Sequence, residues 1–276
     1  MAQLNSPIEI LKLLEKSNCR DCGKPTCLAF AGAVFKGEKR LDECLRLGSD
    51  VIKQYGTKSI PQKSIAQQQE EAIIALKQRI TAIDMASAAE RLGTPYANGK
   101  LTIQCLGKNF SVDEMGNIIT EIHVNPWIAM PVFTYILDGA GTSPSGDWIT
   151  FRELKGGEKW YPLYAQRAEK PLRKVADTYT ELFDDMLQIF TGERIDHHYP
   201  ADISIVLHPL PKVPILICYS GPEDGLESTL TVFYDKTVEM NLNIQALYGL
   251  IVGLVTMFEK IASRHGHNES PGKKAF

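Results

Sequence analysis

The sequence predicts an α+β fold, a small helical module followed by a larger mixed domain. Three observations carry this. Four of the six cysteines, Cys19, Cys22, Cys27 and Cys44, fall in a front segment whose apolar residues repeat at helical spacing. A polar stretch, residues 56–70 (GTKSIPQKSIAQQQE), reads as a linker. Beyond it, strand-like and helix-like patterns alternate irregularly, as in an α+β body and unlike a doubly wound sheet. The implied division is 1–55 for the module, 56–70 for the linker, 71–264 for the α+β domain and 265–276 for a disordered tail.

In order along the chain, Ser6 can cap a first helix. Pro7 suits its first position, and Glu9 completes a capping box. Ile8, Leu11 and Leu14 then share a helical face, and the helix should stop near Asn18. Cys19 and Cys22 follow on a loop in which Gly23 allows a tight turn. Pro25 should open a second helix through Phe30 and Val34, ended by Gly37, with Cys27 in its first turn. There the exposed N–H groups and the helix dipole favour negative charge. Cys44 returns after Leu41.

In the body, a helix is expected over Glu70 to Leu92, stopped by Gly93, with Ile73, Leu76, Ile80 and Ile83 on its apolar face. Strands follow at Leu101–Ile103 and Ile118–Ile122, around a turn at Met115-Gly116-Asn117. Asn125-Pro126 starts a helix to Leu137 and Gly139, which Pro131 must kink or delay. Trp148–Phe151 reads as a strand and Thr178–Phe190 as a helix closed by Gly192. Ile203–Leu207 and Pro214–Tyr219 form a hairpin across Pro209-Leu210-Pro211, and Leu230–Tyr234 is a further strand. Asn243 can cap the last long helix.

Composition bounds the class. The chain has 276 residues, 44% apolar, with 30 Lys+Arg against 33 Asp+Glu, ordinary values for a soluble protein. Residues 1–60 carry a balance of +3 and the rest −6. Scatter accounts for this split, and docking of the basic front to an acidic partner is the functional alternative. No basic stripe interleaved with aromatics points to nucleic acid. The longest apolar run, Ile244 to Phe258, is shorter than a membrane span and reads as a core helix. MAQLNSPIEI lacks the pattern of a secretory signal. Clustered cysteines then point to metal binding in a reducing cytoplasm, not to disulfides.

The cysteines read C-x2-C-x4-C-x16-C. Four thiolates suit one [4Fe–4S] cluster, which takes four Cys ligands. A structural zinc site also accepts four thiolates and is the alternative, although zinc ribbons pair two C-x2-C knuckles and this chain has one.

The stretch Cys22-Gly23-Lys24-Pro25-Thr26-Cys27-Leu28-Ala29-Phe30-Ala31, followed by Gly37, resembles the cluster motif of the corrinoid iron–sulfur protein large subunit. It is also similar to the motif in the B subunit of Rnf electron-transport complexes. In both, the matching cysteines hold a [4Fe–4S] cluster, so the resemblance implies Cys19, Cys22, Cys27 and Cys44 as ligands. One departure is Leu45, where those relatives carry Pro. The resemblance covers about 45 residues and implies low-potential electron transfer or a redox-accessory role in anaerobic metabolism, with a redox or corrinoid protein as partner. A structural cluster on a ligand-binding or assembly module is the other reading. The body, through Gly146-Asp147-Trp148-Ile149-Thr150-Phe151-Arg152-Glu153-Leu154-Lys155-Gly156-Gly157, resembles an uncharacterised domain family that follows this motif in anaerobe proteins. That likeness implies no activity.

Other candidates are weaker. Asp147, Arg152 and Glu153 beside Gly156-Gly157 could form a polar ligand site, or a strand and tight loop with a surface ion pair. Asp196, His197, His198 and His208 are metal-capable, but adjacent side chains point apart. Cys105 and Cys218 read as small buried hydrophobes. No nucleophile elbow, P-loop or dinucleotide fingerprint occurs, and the sequence names no catalytic group.

Overall fold

The computed structural model describes residues 6–55, 65–179, 181–195 and 201–265. The chain divides into two compact units, Met1–Gln68 and Gln69–Phe276.

In the first unit, α1 (Pro7–Leu13) begins as its sequence requires, with Ser6 Oγ accepting the Glu9 N–H at 3.2 Å. It ends at Leu13, well short of Asn18, because Leu14 turns extended. Of the expected face of Ile8, Leu11 and Leu14, Leu14 is in the core and Leu11 packs against it, but Ile10 takes the place of Ile8. Ile10 and Leu14 are buried while Ile8 is 61% exposed. The next helix, α2 (Cys27–Phe35), starts two residues after Pro25. Thr26 is its cap, its Oγ1 accepting the Ala29 N–H at 3.0 Å. Gly37, at φ 73°, closes α2 as expected. Gly37 N–H bonds Val34 O and Glu38 N–H bonds Ala33 O, the paired bonds of a Schellman end. A single 3-10 turn (Leu41–Glu43) delivers Cys44, and α3 (Ser49–Tyr55) completes the unit. Its core is Ile10, Leu14, Phe30, Ala31, Leu41 and Leu47.

The helix expected from Glu70 to Leu92 is two helices, α4 (Ile65–Ile80) and α5 (Met85–Leu92). Asp84 causes the break. Its carboxylate accepts the Ala86 N–H at 3.0 Å and the Ser87 hydroxyl at 2.6 Å, starting a new helix where the old one would continue. Gly93, at φ 68°, stops α5. Helix α4 begins inside the expected linker, since Gln and Glu carry little helix penalty. Residues 56–64 of that linker, and 266–276 of the expected tail, lie outside the described residues.

Strands β1 (Tyr96–Ala97), β2 (Lys100–Cys105), β3 (Lys108–Asp113) and β4 (Ile118–Thr120) form an antiparallel meander in that order. The sequence reading has no counterpart to β3, whose polar/apolar alternation rests on only two apolar residues, Phe110 and Val112. Its Phe110 and Val112 sit opposite Ile103 and Leu101, and all four are buried. Gly116, at φ 75°, occupies the expected turn before β4. Helix α6 (Pro126–Asp138) is capped by Asn125 and runs through Pro131.

The second sheet has the order β5-β9-β8-β7-β6, all antiparallel. Its strands are β5 (Trp148–Thr150), β6 (Glu193–Arg194), β7 (Ile203–Leu210), β8 (Val213–Ser220) and β9 (Thr229–Asp235). The β7–β8 hairpin is the expected one, with Pro209 and Leu210 inside the strand and a bulge between Leu207 and Leu210. The Leu106 N–H bonds His208 O at 3.1 Å, joining the two sheets.

Between β5 and β6 lie α7 (Gly157–Tyr164), a π-helical stretch (Ala165–Glu169), α8 (Lys170–Thr178) and α9 (Leu182–Ile189). The expected helix over Thr178–Phe190 is corrected: Thr178 ends α8, and α9 starts at Leu182. After β9 come α10 (Val238–Asn241) and α11 (Ile244–His265), the latter capped by Asn243. By length and composition alone α11 is long enough to cross a membrane. Its Leu247, Leu250, Ile251, Leu254 and Phe258 are buried in the core of the second unit, as a core helix requires. Close approach of α6 to α11 depends on Gly253, where an added Cβ would lie 2.9 Å from Trp127 Cβ. The α+β class holds.

Candidate iron–sulfur site

The loop between α1 and α2 is wound tightly. Lys16, Asn18 and Arg20 take left-handed φ values of 58°, 50° and 68° on either side of Cys19, and Gly23 follows at 74°. Asn tolerates this region; Lys and Arg do so at a cost of about 1–2 kcal/mol each, sustained by the surrounding structure. The Gly23 N–H bonds Arg20 O at 2.9 Å and closes the Cys19-to-Cys22 turn. Arg46 reaches back from beyond Cys44, with Nε 3.4 Å from Asp21 and Nη1 4.0 Å from Glu15. Lys24 lies 3.6 Å from Glu38. These exposed pairs add little individually. They tie the loop before α2 to the segment that follows it.

The result is one hollow lined by Cys19, Cys22, Cys27 and Cys44, with Leu14 and Phe30 also on its wall. All four thiols are free and half-buried. Cys22, Cys27 and Cys44 also pack against the core of the first unit. Among the described residues, no group of three or more His, Cys, Asp or Glu is arranged to hold a single metal ion.

Backbone donors meet two of the sulfurs. The Asn18 N–H points at Cys27 Sγ at 3.3 Å. The Arg46 N–H donates to Cys44. Burial pushes the Cys44 thiol up, that N–H partly offsets it, and the nearby Cys22, Cys19 and Cys27 raise it further. Metal ligation demands thiolates, so filling the hollow expels protons and relieves this mutual repulsion. The donor set, four soft sulfurs round one hollow with N–H groups aimed at two of them, fits an iron–sulfur group. The sequence reading passed over Asn18 and Arg46. The available signal was Asn, the residue most at ease in the left-handed region after Gly, directly before the first Cys.

The remaining candidates have structural tasks. Glu153 accepts the Thr150 N–H at 2.8 Å and its hydroxyl at 2.7 Å, capping the turn after β5. The Arg152 guanidinium lies 3.7 Å over the Tyr161 ring. Asp147 is exposed, and its carbonyl accepts the Lys236 N–H. Gly156 takes φ 81°, and at Gly157 an added Cβ would stand 1.9 Å from the Phe151 carbonyl oxygen. Gly157→Ala is therefore expected to force the chain apart behind the buried Phe151 and to cost about 2–4 kcal/mol. A urea midpoint equal to wild type would refute this. Phe151 is stacked on Tyr164 at 3.9 Å, and Tyr164 and Tyr234 share a buried hydroxyl–hydroxyl bond of 2.8 Å.

Asp196, His197 and His198 lie outside the described residues, and His208 stands on β7. Cys105 and Cys218 are buried, as expected. Burial pushes the Cys105 thiol up to about 12 and raises that of Cys218, whose sulfur lies 3.6 Å from Ser204 Oγ.

Two family models match. One, described as "Putative Fe-S cluster", covers residues 14–46. The other, described as "Domain of unknown function (DUF3786)", covers residues 84–257, from the cap of α5 into α11. Among curated proteins, the corrinoid/iron-sulfur protein large subunit of Moorella thermoacetica is 54% identical over 37 residues, 13% of this chain and 8% of that protein. The acetyl-CoA decarbonylase/synthase complex subunit gamma of Methanocaldococcus jannaschii is 46% identical over 39 residues, 14% and 8%. Subunit gamma 1 of that complex in Methanosarcina thermophila is 40% identical over 42 residues, 15% and 9%. The matched stretch thus spans under a tenth of each relative. No solved structure matches.

Proposed function

The chain belongs to the family described as Domain of unknown function (DUF3786), and from that premise we propose that it is a [4Fe–4S] protein serving low-potential electron transfer or a redox-accessory role. Cys19, Cys22, Cys27 and Cys44 are the ligands in this reading. The observation that carries it is the single hollow that these four thiols line. The Fe–S family match over residues 14–46 and the likeness to proteins of corrinoid/iron-sulfur and acetyl-CoA decarbonylase/synthase type support it. The group, when bound, supplies a one-electron couple. The chain's part is to hold four thiolates, to aim the N–H groups of Asn18 and Arg46 at two of them, and to wall the hollow with Phe30 and Leu14. The partner in this proposal is a corrinoid or another redox protein, in a reducing cytoplasm.

One observation favours a second reading, a purely structural cluster. Three of the four cysteines pack against a core of six buried residues among those described, which a cluster would reinforce. Anaerobic purification followed by iron and sulfide assay, with electron paramagnetic resonance before and after dithionite, decides. About four irons per chain with a reversible reduced signal is the expected result. Zinc without sulfide would end the cluster reading. A cubane that dithionite cannot reduce would leave the structural role.

A further inference from the structure

We propose that Asn18 is a positioning residue that raises the reduction potential of the group held by the four cysteines, by clasping Cys27 from both ends. The proposal rests on the cluster reading above. Two bonds form the clasp. The Asn18 side-chain Oδ1 accepts the Cys27 N–H at 2.8 Å, and the Asn18 backbone N–H points back at Cys27 Sγ at 3.3 Å. Together they close a ring between the loop and the first turn of α2.

The two halves depend on each other. At the start of α2 the Cys27 N–H has no partner within its own helix, so an external acceptor is free to take it. Using the side chain of Asn18 for this fixes the peptide of Asn18 over Cys27. That in turn aims its own N–H at the sulfur. Asn suits the position because its φ is 50°, a conformation it adopts more readily than most residues. A donor on a ligating sulfur stabilises the more negative, reduced state, so its loss lowers the potential. Gln54, exposed on α3 and not on the wall of the hollow, provides a control.

The experiment compares wild type with Asn18→Gly, Asn18→Asp and the control Gln54→Ala. Iron and sulfide are counted, the potential is titrated by electron paramagnetic resonance, and iron release to a chelator is timed. Gly keeps the left-handed backbone and the N–H but removes the acceptor; Asp keeps both. Asn18→Gly is expected to show a lower potential and several-fold faster iron release. Gln54→Ala should match wild type in both, and Asn18→Asp should release iron as slowly as wild type. If Asn18→Gly fails to retain iron while Asn18→Asp retains it, the clasp is again supported. A fully loaded Asn18→Gly protein at the wild-type potential overturns the proposal, as does loss of iron from both Asn18 variants. Absence of iron and sulfide from wild type would instead refute the underlying cluster reading.

Discussion

Replacing Cys27 by Ala is expected to cut bound iron to a small fraction of wild type and to abolish the cooperative unfolding of the first unit. The argument is one of scale. Among the described residues, the core cluster of the first unit is six apolar side chains, Ile10, Leu14, Phe30, Ala31, Leu41 and Leu47. In a unit this small such a core rarely supplies more than about 3–5 kcal/mol. Against it stand the ordering of the loop, about 1–2 kcal/mol per residue, and the left-handed Lys16 and Arg20. Without a bound centre, burial and the neighbouring cysteines hold the Cys44 thiol in its neutral form, which binds nothing together. A bound cationic centre instead cross-links the loop, α2 and the segment at Cys44, so its binding energy becomes folding energy. The core of the second unit draws on none of these residues and should keep its own transition. Iron content, urea unfolding and amide exchange over residues 6–55 give the answer, with Cys105→Ala as the control that keeps its iron. Full iron in Cys27→Ala would remove Cys27 from the ligand set. Iron lost with exchange protection intact would show that the cluster is not the staple.

The sequence made the front of the chain legible because its signals are local. The x2 and x4 spacings gather three cysteines, Pro25 and Gly37 bracket α2 to within two residues, and the hollow follows from a few short turns. The loop conformation was less legible. Nothing in the letters of Lys16 and Arg20 announces a positive φ, which tertiary closure imposes on them. In the body, elements with a strong local signature read correctly: the β7–β8 hairpin, the Asn125 and Asn243 caps, and the stop at Gly93. Those that failed depend on competition between neighbours. Asp84 had to outbid continuation of a helix, and β3 had to be recognised from Phe110 and Val112 alone among polar residues. Helices α7 and α8 were missed because Pro162 and Pro171 lie within or at the start of them and Gly156-Gly157 reads as a loop. The glycines of that segment were legible as special, but the purpose of Gly157, clearance for the Phe151 carbonyl, is a non-local fact.

Asp235→Ala is expected to destabilise the second unit by about 3–5 kcal/mol at neutral pH, the cost of leaving buried donors without their charged partner. Asp235 is 1% exposed at the end of β9. Its Oδ1 accepts the Ser145 N–H at 3.1 Å, the Thr237 N–H at 2.9 Å and the Thr237 hydroxyl at 2.6 Å; its Oδ2 accepts the Gly146 N–H at 2.6 Å. One carboxylate thus pins the segment leading into β5 to the turn leading into α10. Asp235→Asn should recover only part of the loss, because N–H donors face both oxygens and an amide offers one. Burial pushes this carboxyl up, but the bonds from Thr237, Ser145 and Gly146 outweigh it and hold it below its ordinary range. The sign follows: the stabilisation is complete above the unfolded value of about 4 and is lost as pH falls through the lower folded value. The gap between wild type and Asp235→Ala, read from urea midpoints, should therefore be widest near pH 7 and shrink below about pH 4. A gap that stays constant down to pH 2 would mean that the carboxylate's charge contributes nothing. A neutral-pH midpoint unchanged by either substitution would mean that the cage holds no stability at all, and that the segment from Gly139 to Asp147 is anchored by Asn241, whose side chain bonds Thr142 O, Thr142 N–H and Lys212 O.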